Sequence, residues 1–330
     1  MAKKILITGG AGFLGYHITR ELLENNVEVI LYDAFLNYIP PLESSYAAYL
    51  RYRLNDLKNK TCLIRGDIRN RGCLAKALKE TAPDLVIHLA AIPIHKASNQ
   101  FSEEAIQINL NGTVTILECL RQADSVKRFI FTSSSFIYGD FDYEPADENH
   151  PTRPIDIYGG TKLSGEILTT AFGKKFGMEY TIIRPSAVYG PTDANRRVTQ
   201  ILIDAALSGK PLTLHDEGRE RIDFTYVKDT AHGFVLAALS DNAKNETFNI
   251  TRGEGKSIKE FAQAIKKRIP GITIETKPSD ERRPKRGALD NTKARKMLGY
   301  EPRYDIEKGI NEYIDFILEN GFNKKEPDIQ

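Results

Sequence analysis

The stretch that decides the fold is Lys4-Ile5-Leu6-Ile7-Thr8-Gly9-Gly10-Ala11-Gly12-Phe13-Leu14-Gly15, near the start of the chain. The run from Ile5 to Thr8 is apolar and β-branched, which predicts a short buried strand. From Phe13 to Asn25 the apolar residues recur at helical spacing, and the glycines between the two runs predict a tight turn. Strand, turn and helix in this order form the opening unit of a parallel α/β sheet.

The same alternation continues through the first half of the chain. Strands are predicted at 27–32, 61–65, 84–88, 126–132 and 180–184, helices at 71–80, 103–122 and 158–176, and an inserted helix at 43–57. The strands are apolar along their whole length, so helices should cover the sheet on both faces. The sequence therefore predicts a Rossmann-type, doubly wound parallel sheet of the α/β class.

The second half of the chain has shorter elements. Helices are predicted at 198–208, 228–239, 258–269 and 306–320, and a strand at 212–214, while 277–287 and the tail after Phe322 read as polar loop and frayed end. We expect a Rossmann domain over residues 1–180, to which the chain returns around 226–250. Residues 181–330 should form mainly a smaller C-terminal α/β substrate domain.

Composition narrows the class of protein. The 330 residues carry 46 Lys and Arg against 44 Asp and Glu, a formal net charge of +2, which leaves no basic excess to recruit nucleic acid or an anionic membrane. No window approaches the roughly 20 apolar residues that span a bilayer, and the N-terminal apolar run is too short for an export signal. We therefore expect a cytoplasmic protein.

The three cysteines argue against a disulfide framework and against a structural zinc site. Their number is odd and their spacing contains no CxxC pair. We expect Cys62, Cys73 and Cys119 to be small buried or half-buried residues, and no metal site is predicted.

The glycine turn has the spacing of a dinucleotide-binding site. Gly9, Gly12 and Gly15 form GxxGxxG between strand and helix, where the backbone can approach a pyrophosphate at the helix N-terminus. The second strand ends at Asp33, about 20 residues past the glycines, where a carboxylate can bind ribose hydroxyls and repel a 2′-phosphate. This favours NAD over NADP. Asp67, after the third strand, is either a second carboxylate near the adenine or a helix N-cap, and the sequence leaves both open.

Catalytic chemistry is indicated by Tyr158 and Lys162. Four residues apart on a helix, the phenol and the ammonium share one face, and we expect the cation to lower the phenol pKa so that it can act as a base. The segment Thr132-Ser133-Ser134-Ser135 follows the fifth strand, at the carboxyl edge where ligands bind in this architecture. A serine hydroxyl there can share a substrate proton with Tyr158.

Taken together, these motifs resemble the extended short-chain dehydrogenase/reductases, in particular the nucleotide-sugar epimerase branch typified by UDP-galactose 4-epimerase. The resemblance spans nearly the whole chain. It rests on Gly9–Gly15, Asp33, Gly66–Ile68, His88–Ala91, Asn109 with Gly112, Ser133–Gly139, Tyr158 with Lys162, Arg184–Pro191, Asp223–Val227 and Leu298–Pro302.

The resemblance implies specific site residues. Ser134 matches the catalytic Ser/Thr, beside Tyr158 and Lys162, and Asn109 matches a structural position. The implied cofactor contacts are Gly9, Gly12, Phe13, Leu14, Gly15, Asp33, Asp67, Ile68, Leu89, Ala90, Ala91, Tyr158 and Lys162. The implied substrate contacts are Ser134, Ser135, Tyr158, Ala187, Thr213, His215, Arg221 and Arg283.

Three departures from the family pattern bear on the substrate. Dehydratases of this branch carry an acid pair after the catalytic Ser/Thr, where this chain has Ser135 and Phe136. An Asn commonly contacts substrate at the position of Ala187. The usual Arg before Asp223 is Ile222, so the candidates for holding a diphosphate are Arg219, Arg221 and the basic residues within Asp280–Arg286.

The resemblance implies an NAD-dependent nucleotide-sugar 4-epimerase that works through a 4-keto sugar. A 4-reductase or dehydrogenase on the same sugar class stays open, and so does a dinucleotide-binding protein without turnover. A homodimer formed through helices 103–122 and 158–176 is expected by analogy with the family.

Overall fold

The computed structural model describes residues 3–37, 45–278 and 283–323 of the chain. In chain order, the strands are β1 Lys4–Thr8, β2 Glu28–Asp33, β3 Cys62–Arg65, β4 Leu85–His88, β5 Arg128–Thr132, β6 Glu179–Pro185, β7 Leu212–His215, β8 Arg221–Asp223, β9 Glu246–Ile250, β10 Gly255–Ser257 and β11 Ile274–Lys277. The α-helices are α1 Phe13–Glu24, α2 Tyr46–Leu57, α3 Arg71–Thr81, α4 His95–Gln100, α5 Ser102–Ala105, α6 Gly112–Leu120, α7 Ile157–Phe176, α8 Val198–Leu207, α9 Val227–Leu239, α10 Ile258–Arg268, α11 Thr292–Leu298 and α12 Ile306–Glu319.

Seven strands form the central sheet in the order β3-β2-β1-β4-β5-β6-β9, and every adjacent pair is parallel. Ile5, Leu6 and Ile7 of β1 are fully buried, because one apolar cluster packs on each face of the sheet. The predicted Rossmann-type class is confirmed. The strand order reverses between β1 and β4, so a crevice opens outside their carboxyl ends, where ligands bind in such sheets.

Two predicted helices differ from the observed ones. The single helix predicted at 103–122 is instead α5, a π-helical segment Ile106–Asn111 and α6. The inserted helix, α2, begins at Tyr46, and residues 43 and 44 of its predicted span lie outside the described part of the chain.

The expectation of buried cysteines is wrong for two of the three. Cys119 is buried in α6, whereas Cys62 and Cys73 are exposed. Cys62 lies on β3, an edge strand whose residues are mostly exposed, so its apolar composition does not reflect burial on both faces.

A third apolar cluster supports the C-terminal part of the chain. Here β7 pairs with β11 in parallel, β8 pairs with β10 in antiparallel fashion, and Ile203, Phe261 and Ile314 are fully buried between the helices. Strands β8, β10 and β11 have only three or four residues, too few for a periodic signal. Among the described residues, no helix is both long enough and apolar enough to cross a membrane.

Candidate active site at the carboxyl edge of the sheet

The glycine turn brings its backbone into close contact with two neighbours. Gly9 has a φ of 71°, and a Cβ on it would lie 2.7 Å from the backbone nitrogen of Ala90, at the end of β4. A Cβ on Gly15 would lie 2.6 Å from the carbonyl oxygen of Gly9. These positions require glycine, since a side chain would push α1 away from the sheet. The N-cap of α1 is Gly12, which has no side chain to cap the helix, so the first backbone N–H groups of α1 can bind an anion.

Asp33 is the acid of the cofactor pocket. Its carboxylate accepts hydrogen bonds from the backbone N–H of Ala11 at 3.0 Å and of Phe35 at 2.7 Å. Burial raises its pKa, and these two bonds and Arg53 oppose the rise. A carboxylate has about four acceptor sites, so Asp33 keeps capacity for ribose hydroxyls.

Asp67 is not the N-cap of the next helix. That position belongs to Asn70, whose side chain accepts from the backbone N–H of Cys73 at 3.1 Å. Asp67 instead binds the Arg69 guanidinium, at 2.6 Å in the shortest contact, and this hydrogen bond holds the pKa of Asp67 below its usual value. The sequence left open whether Asp67 is a helix N-cap or a carboxylate near the adenine, and the structure excludes the N-cap.

Helix α7 places Tyr158 and Lys162 side by side. Asp156 caps the helix by accepting from the backbone N–H of Gly159 at 2.7 Å. The buried Asn109 side chain hydrogen-bonds both the backbone of Ile92 and the hydroxyl of Thr161, which ties the helix to the end of β4.

The pKa of Tyr158 is governed by burial. Only 9% of the residue is exposed, and this burial raises its pKa, while Arg197 and a hydrogen bond with Ser134 lower it. The Lys162 ammonium donates to the carbonyl oxygen of Thr132 at 2.8 Å and lies 5.9 Å from the centre of the phenol ring, and burial, not this cation, has the largest effect on the pKa of Tyr158. Burial lowers the pKa of Lys162 to about 8, so it stays largely protonated at neutral pH.

The cofactor candidates line one cavity of about 240 Å³. Every sequence-predicted cofactor residue is on its wall: Gly9, Gly12, Phe13, Leu14, Gly15, Asp33, Asp67, Ile68, Leu89, Ala90, Ala91, Tyr158 and Lys162. The glycine turn, the helix N-terminus without a side-chain cap and the acid at the end of β2 fit a dinucleotide.

The substrate candidates line two further cavities with a common wall. Ser134, Ser135, Tyr158, Ala187 and Arg283 lie on a cavity of about 630 Å³. Thr213, His215, Arg221 and Arg283 lie on the next, of about 660 Å³. Tyr158 also lines the cofactor cavity, so it is a catalytic candidate that faces both sites.

The basic candidates differ in what they already bind. Arg221 is half exposed, and its guanidinium donates to Glu144 at 2.9 Å and to the carbonyl oxygen of Gly255 at 3.1 Å. Arg283 and Arg286 both pair with Glu220, at 2.9 and 3.2 Å. One carboxylate therefore serves two guanidinium groups at the wall shared by the two substrate cavities.

Sequence reasoning missed two arginines of the cofactor cavity. Arg53 of α2 is buried and donates to the carbonyl oxygens of Ala11, at 2.9 Å, and Thr192, at 2.8 Å. Arg197 pairs with the fully buried Asp193 at 3.1 Å and lines both the cofactor cavity and the cavity of about 630 Å³ that contains Ser134, which we call the catalytic cavity. Neither belongs to a recognisable motif, so only the folded chain reveals them.

This site defines an NAD-binding Rossmann-type enzyme with a Ser, Tyr and Lys constellation beside the cofactor. The chain belongs to the NAD dependent epimerase/dehydratase family, whose model matches residues 5–251. The predicted cofactor, NAD, and the predicted enzyme class, an NAD-dependent epimerase, agree with this membership.

Individual relatives match over nearly their full length. A Bacillus subtilis (strain 168) protein described as an uncharacterized UDP-glucose epimerase is 31% identical over 95% of this chain and 98% of its own. The UDP-glucuronic acid 4-epimerase of Bacillus cereus, solved with UDP-glucuronic acid and NAD, is 32% identical, with a TM-score of 0.87 over 96% of this chain and 99% of that one. The UDP-glucose 4-epimerase of Thermotoga maritima, solved with UDP-glucose, is 27% identical, with a TM-score of 0.86 over the same shares.

Proposed function

We propose that the protein is a nucleotide-sugar 4-epimerase that inverts C4 of a UDP-sugar of the UDP-glucose/galactose or UDP-glucuronate type through a 4-keto intermediate. The observation that carries this proposal is the position of Tyr158, which lines both the cofactor cavity and the cavity that holds Ser134. A group that touches both cavities can move a proton at the carbon from which hydride leaves. The relatives named as epimerases of UDP-sugars support this assignment.

Each residue of the constellation has a distinct task in this proposal. Tyr158 takes the proton of the C4 hydroxyl, and the Ser134 hydroxyl, which hydrogen-bonds Tyr158, shares it. Lys162 supplies a fixed positive charge and is oriented by the carbonyl of Thr132. NAD, held by the glycine turn and Asp33, would supply the acceptor and donor of hydride for C4.

Dehydration is disfavoured by the side chains next to Ser134. The Ser135 hydroxyl donates to Ser186 at 3.2 Å, and Phe136 has no ionisable group. Among the described residues, the two carboxylates on the catalytic cavity already have partners, since Asp156 caps α7 and Glu220 binds Arg283 and Arg286. Elimination of water across C5 and C6 would need a free base and a free acid there.

Two further features belong to the proposal. We assign residues 1–180 and the segment around 226–250 to the cofactor domain, and the rest of 181–330 mainly to substrate binding.

We also propose a cytoplasmic homodimer. Ile106 and Ile167, on the packed π-helical segment and α7, are 39% and 61% exposed, which suits a helix-to-helix contact between two copies.

The test is turnover on a panel of nucleotide sugars, with the product followed by mass and by NMR at C4. The expected product has unchanged mass and inverted C4, without net consumption of NAD. Loss of 18 mass units would contradict the proposal, and stoichiometric accumulation of NADH would favour the dehydrogenase. Bound NAD without turnover on any sugar would favour a binding protein, and sedimentation as a monomer would remove the dimer.

A further inference from the structure

Phe136 is the centre of an aromatic and cationic cluster in the catalytic cavity. The His95 ring stacks on it, with ring centres 5.4 Å apart and an interplanar angle of 24°. The Arg286 guanidinium lies over the same ring, 4.3 Å from its centre. The Tyr158 ring meets Phe136 edge-on at 5.7 Å. Phe136 is thus in contact both with a buried cation and with the phenol that is proposed to transfer the proton.

Arg286 retains hydrogen-bonding capacity in spite of its burial. Only 7% of its side chain is exposed, and its Nε atom has no hydrogen-bond partner among the described residues. It donates to Glu220 at 3.2 Å, but that carboxylate also binds Arg283 at 2.9 Å. A buried guanidinium with an unused donor is costly unless an acceptor completes its hydrogen bonds, and an anion supplies such an acceptor.

The contact with Phe136 can keep Arg286 in place without neutralising it. An aromatic face attracts a cation through its quadrupole but accepts none of its conventional hydrogen bonds, so the planar fork stays available. A carboxylate at position 136 would instead pair with the guanidinium and cancel its charge. An aliphatic side chain would fill similar space without the attraction.

We infer that Phe136 is a positioning residue that holds Arg286 beside Tyr158 to bind an oxyanion of the substrate. This inference rests on the proposed function for the identity of the substrate. The oxyanion is either the phosphate attached to the sugar or a carboxylate on the sugar ring, because a guanidinium fork binds both. Phe136 thereby links recognition of the substrate's charge to the position of the reacting sugar.

Binding measurements test this without requiring turnover. Calorimetric Kd values are measured for UDP, UDP-glucose and UDP-glucuronate with the wild type, Phe136→Leu and Phe136→Tyr. We expect Phe136→Leu to weaken binding by roughly threefold to thirtyfold, the range for a partly buried cation–π contact. Phe136→Tyr keeps an aromatic ring and should retain most of the wild-type affinity. The matched control is Phe176→Leu, at the C-terminal end of α7 and away from the site. It removes a ring whose centre lies 4.9 Å from the Arg121 guanidinium, and it should leave binding unchanged.

The three ligands distinguish the two oxyanions. Loss of affinity for all of them identifies the phosphate, whereas loss confined to UDP-glucuronate identifies the carboxylate. In the Arg286→Met background, which removes the cation, Phe136→Leu should have little further effect, since a shared mechanism is non-additive. Unchanged affinity in folded Phe136→Leu, or fully additive effects in the double variant, would overturn the inference. If the Kd values change as expected but the wild type epimerises none of the sugars, the proposed function is overturned and the inference about Phe136 is not.

Discussion

Tyr158 illustrates how one side chain is prepared for proton transfer. Its phenol is buried, which by itself favours the neutral form, and Ser134 and Arg197 act against that preference. The Lys162 ammonium donates a hydrogen bond to the carbonyl oxygen of Thr132, which keeps its charge 5.9 Å from the centre of the Tyr158 ring. The base is therefore tuned by several neighbours from β5, α7 and the start of α8.

Replacing the phenol isolates its chemical contribution. We expect Tyr158→Phe to lower kcat by about 10²–10⁴-fold, the range for general acid–base catalysis, while NAD stays bound. Steady-state kinetics and the absorbance of bound NAD check this. As a matched control, Tyr143→Phe alters an exposed tyrosine that binds Asp147 and should leave kcat unchanged. Turnover of Tyr158→Phe near the wild-type rate would refute the assigned role.

Asp33 should determine the choice of cofactor. A 2′-phosphate placed beside this carboxylate would meet a like charge, so NAD should bind at least about tenfold more tightly than NADP. Asp33→Asn should reduce that preference. Asp67→Asn, which alters a second carboxylate on the same cavity, should reduce it less, because Arg69 already neutralises Asp67. Titration of cofactor-stripped protein with both dinucleotides decides the matter, and equal affinities in the wild type would count against Asp33.

At the scale of elements, α2 fixes the glycine turn. Its Arg53 bonds Ala11 in that turn and Thr192 in the segment after β6, so a helix inserted between β2 and β3 joins both halves of the chain. Burial lowers the pKa of Arg53 to about 10, and the guanidinium stays charged at neutral pH.

Loss of this link should affect stability and cofactor retention together. Arg53→Met leaves two carbonyl groups without their donor, and we expect a loss of about 2–3 kcal/mol in the free energy of unfolding together with a lower content of bound NAD. Urea denaturation and cofactor absorbance are the measurements. Arg51→Met, an exposed position on the same helix, should change neither, and equal behaviour of the two variants would contradict the role of Arg53.

For the whole molecule, His17 lies where the cofactor helix meets the substrate half. It is buried in α1, and its Nε2 atom is 3.0 Å from the carbonyl oxygen of Pro191, which requires the neutral ring to donate there. Burial lowers the pKa of His17 to about 3. The unfolded chain, with a histidine pKa near 6.5, binds the proton first as the pH falls.

The folded state should therefore lose stability below about pH 6.5. Through His17, the free energy of unfolding falls by up to about 1.4 kcal/mol for each unit of pH lowered, down to about pH 3. The reason is that in this range the unfolded state binds a proton on His17 and the folded state does not. Urea denaturation at pH 7 and pH 5 should show a smaller difference for His17→Gln than for the wild type. Identical differences would show that His17 is not the responsible group.

Features that depend on local pattern can be read from the order of the residues alone. The glycine turn, the acid at the end of β2 and the pair of Tyr158 and Lys162 each have a fixed spacing with a direct physical meaning, and the apolar strands specify a sheet covered on both faces. Those signals were sufficient for the fold class, the cofactor and the family.

Which charged side chains meet depends on how the chain folds. Arg53, Arg197 and Arg286 lie 144 or 89 residues apart in sequence, and no periodicity relates them to the turn or to Tyr158. Their roles arise because sheet order and burial bring distant segments of the chain to the carboxyl edge of the sheet. A donor buried there is removed from water, so leaving it without a partner costs free energy. The same long-range packing explains why burial, rather than the neighbouring Lys162, governs the pKa of Tyr158.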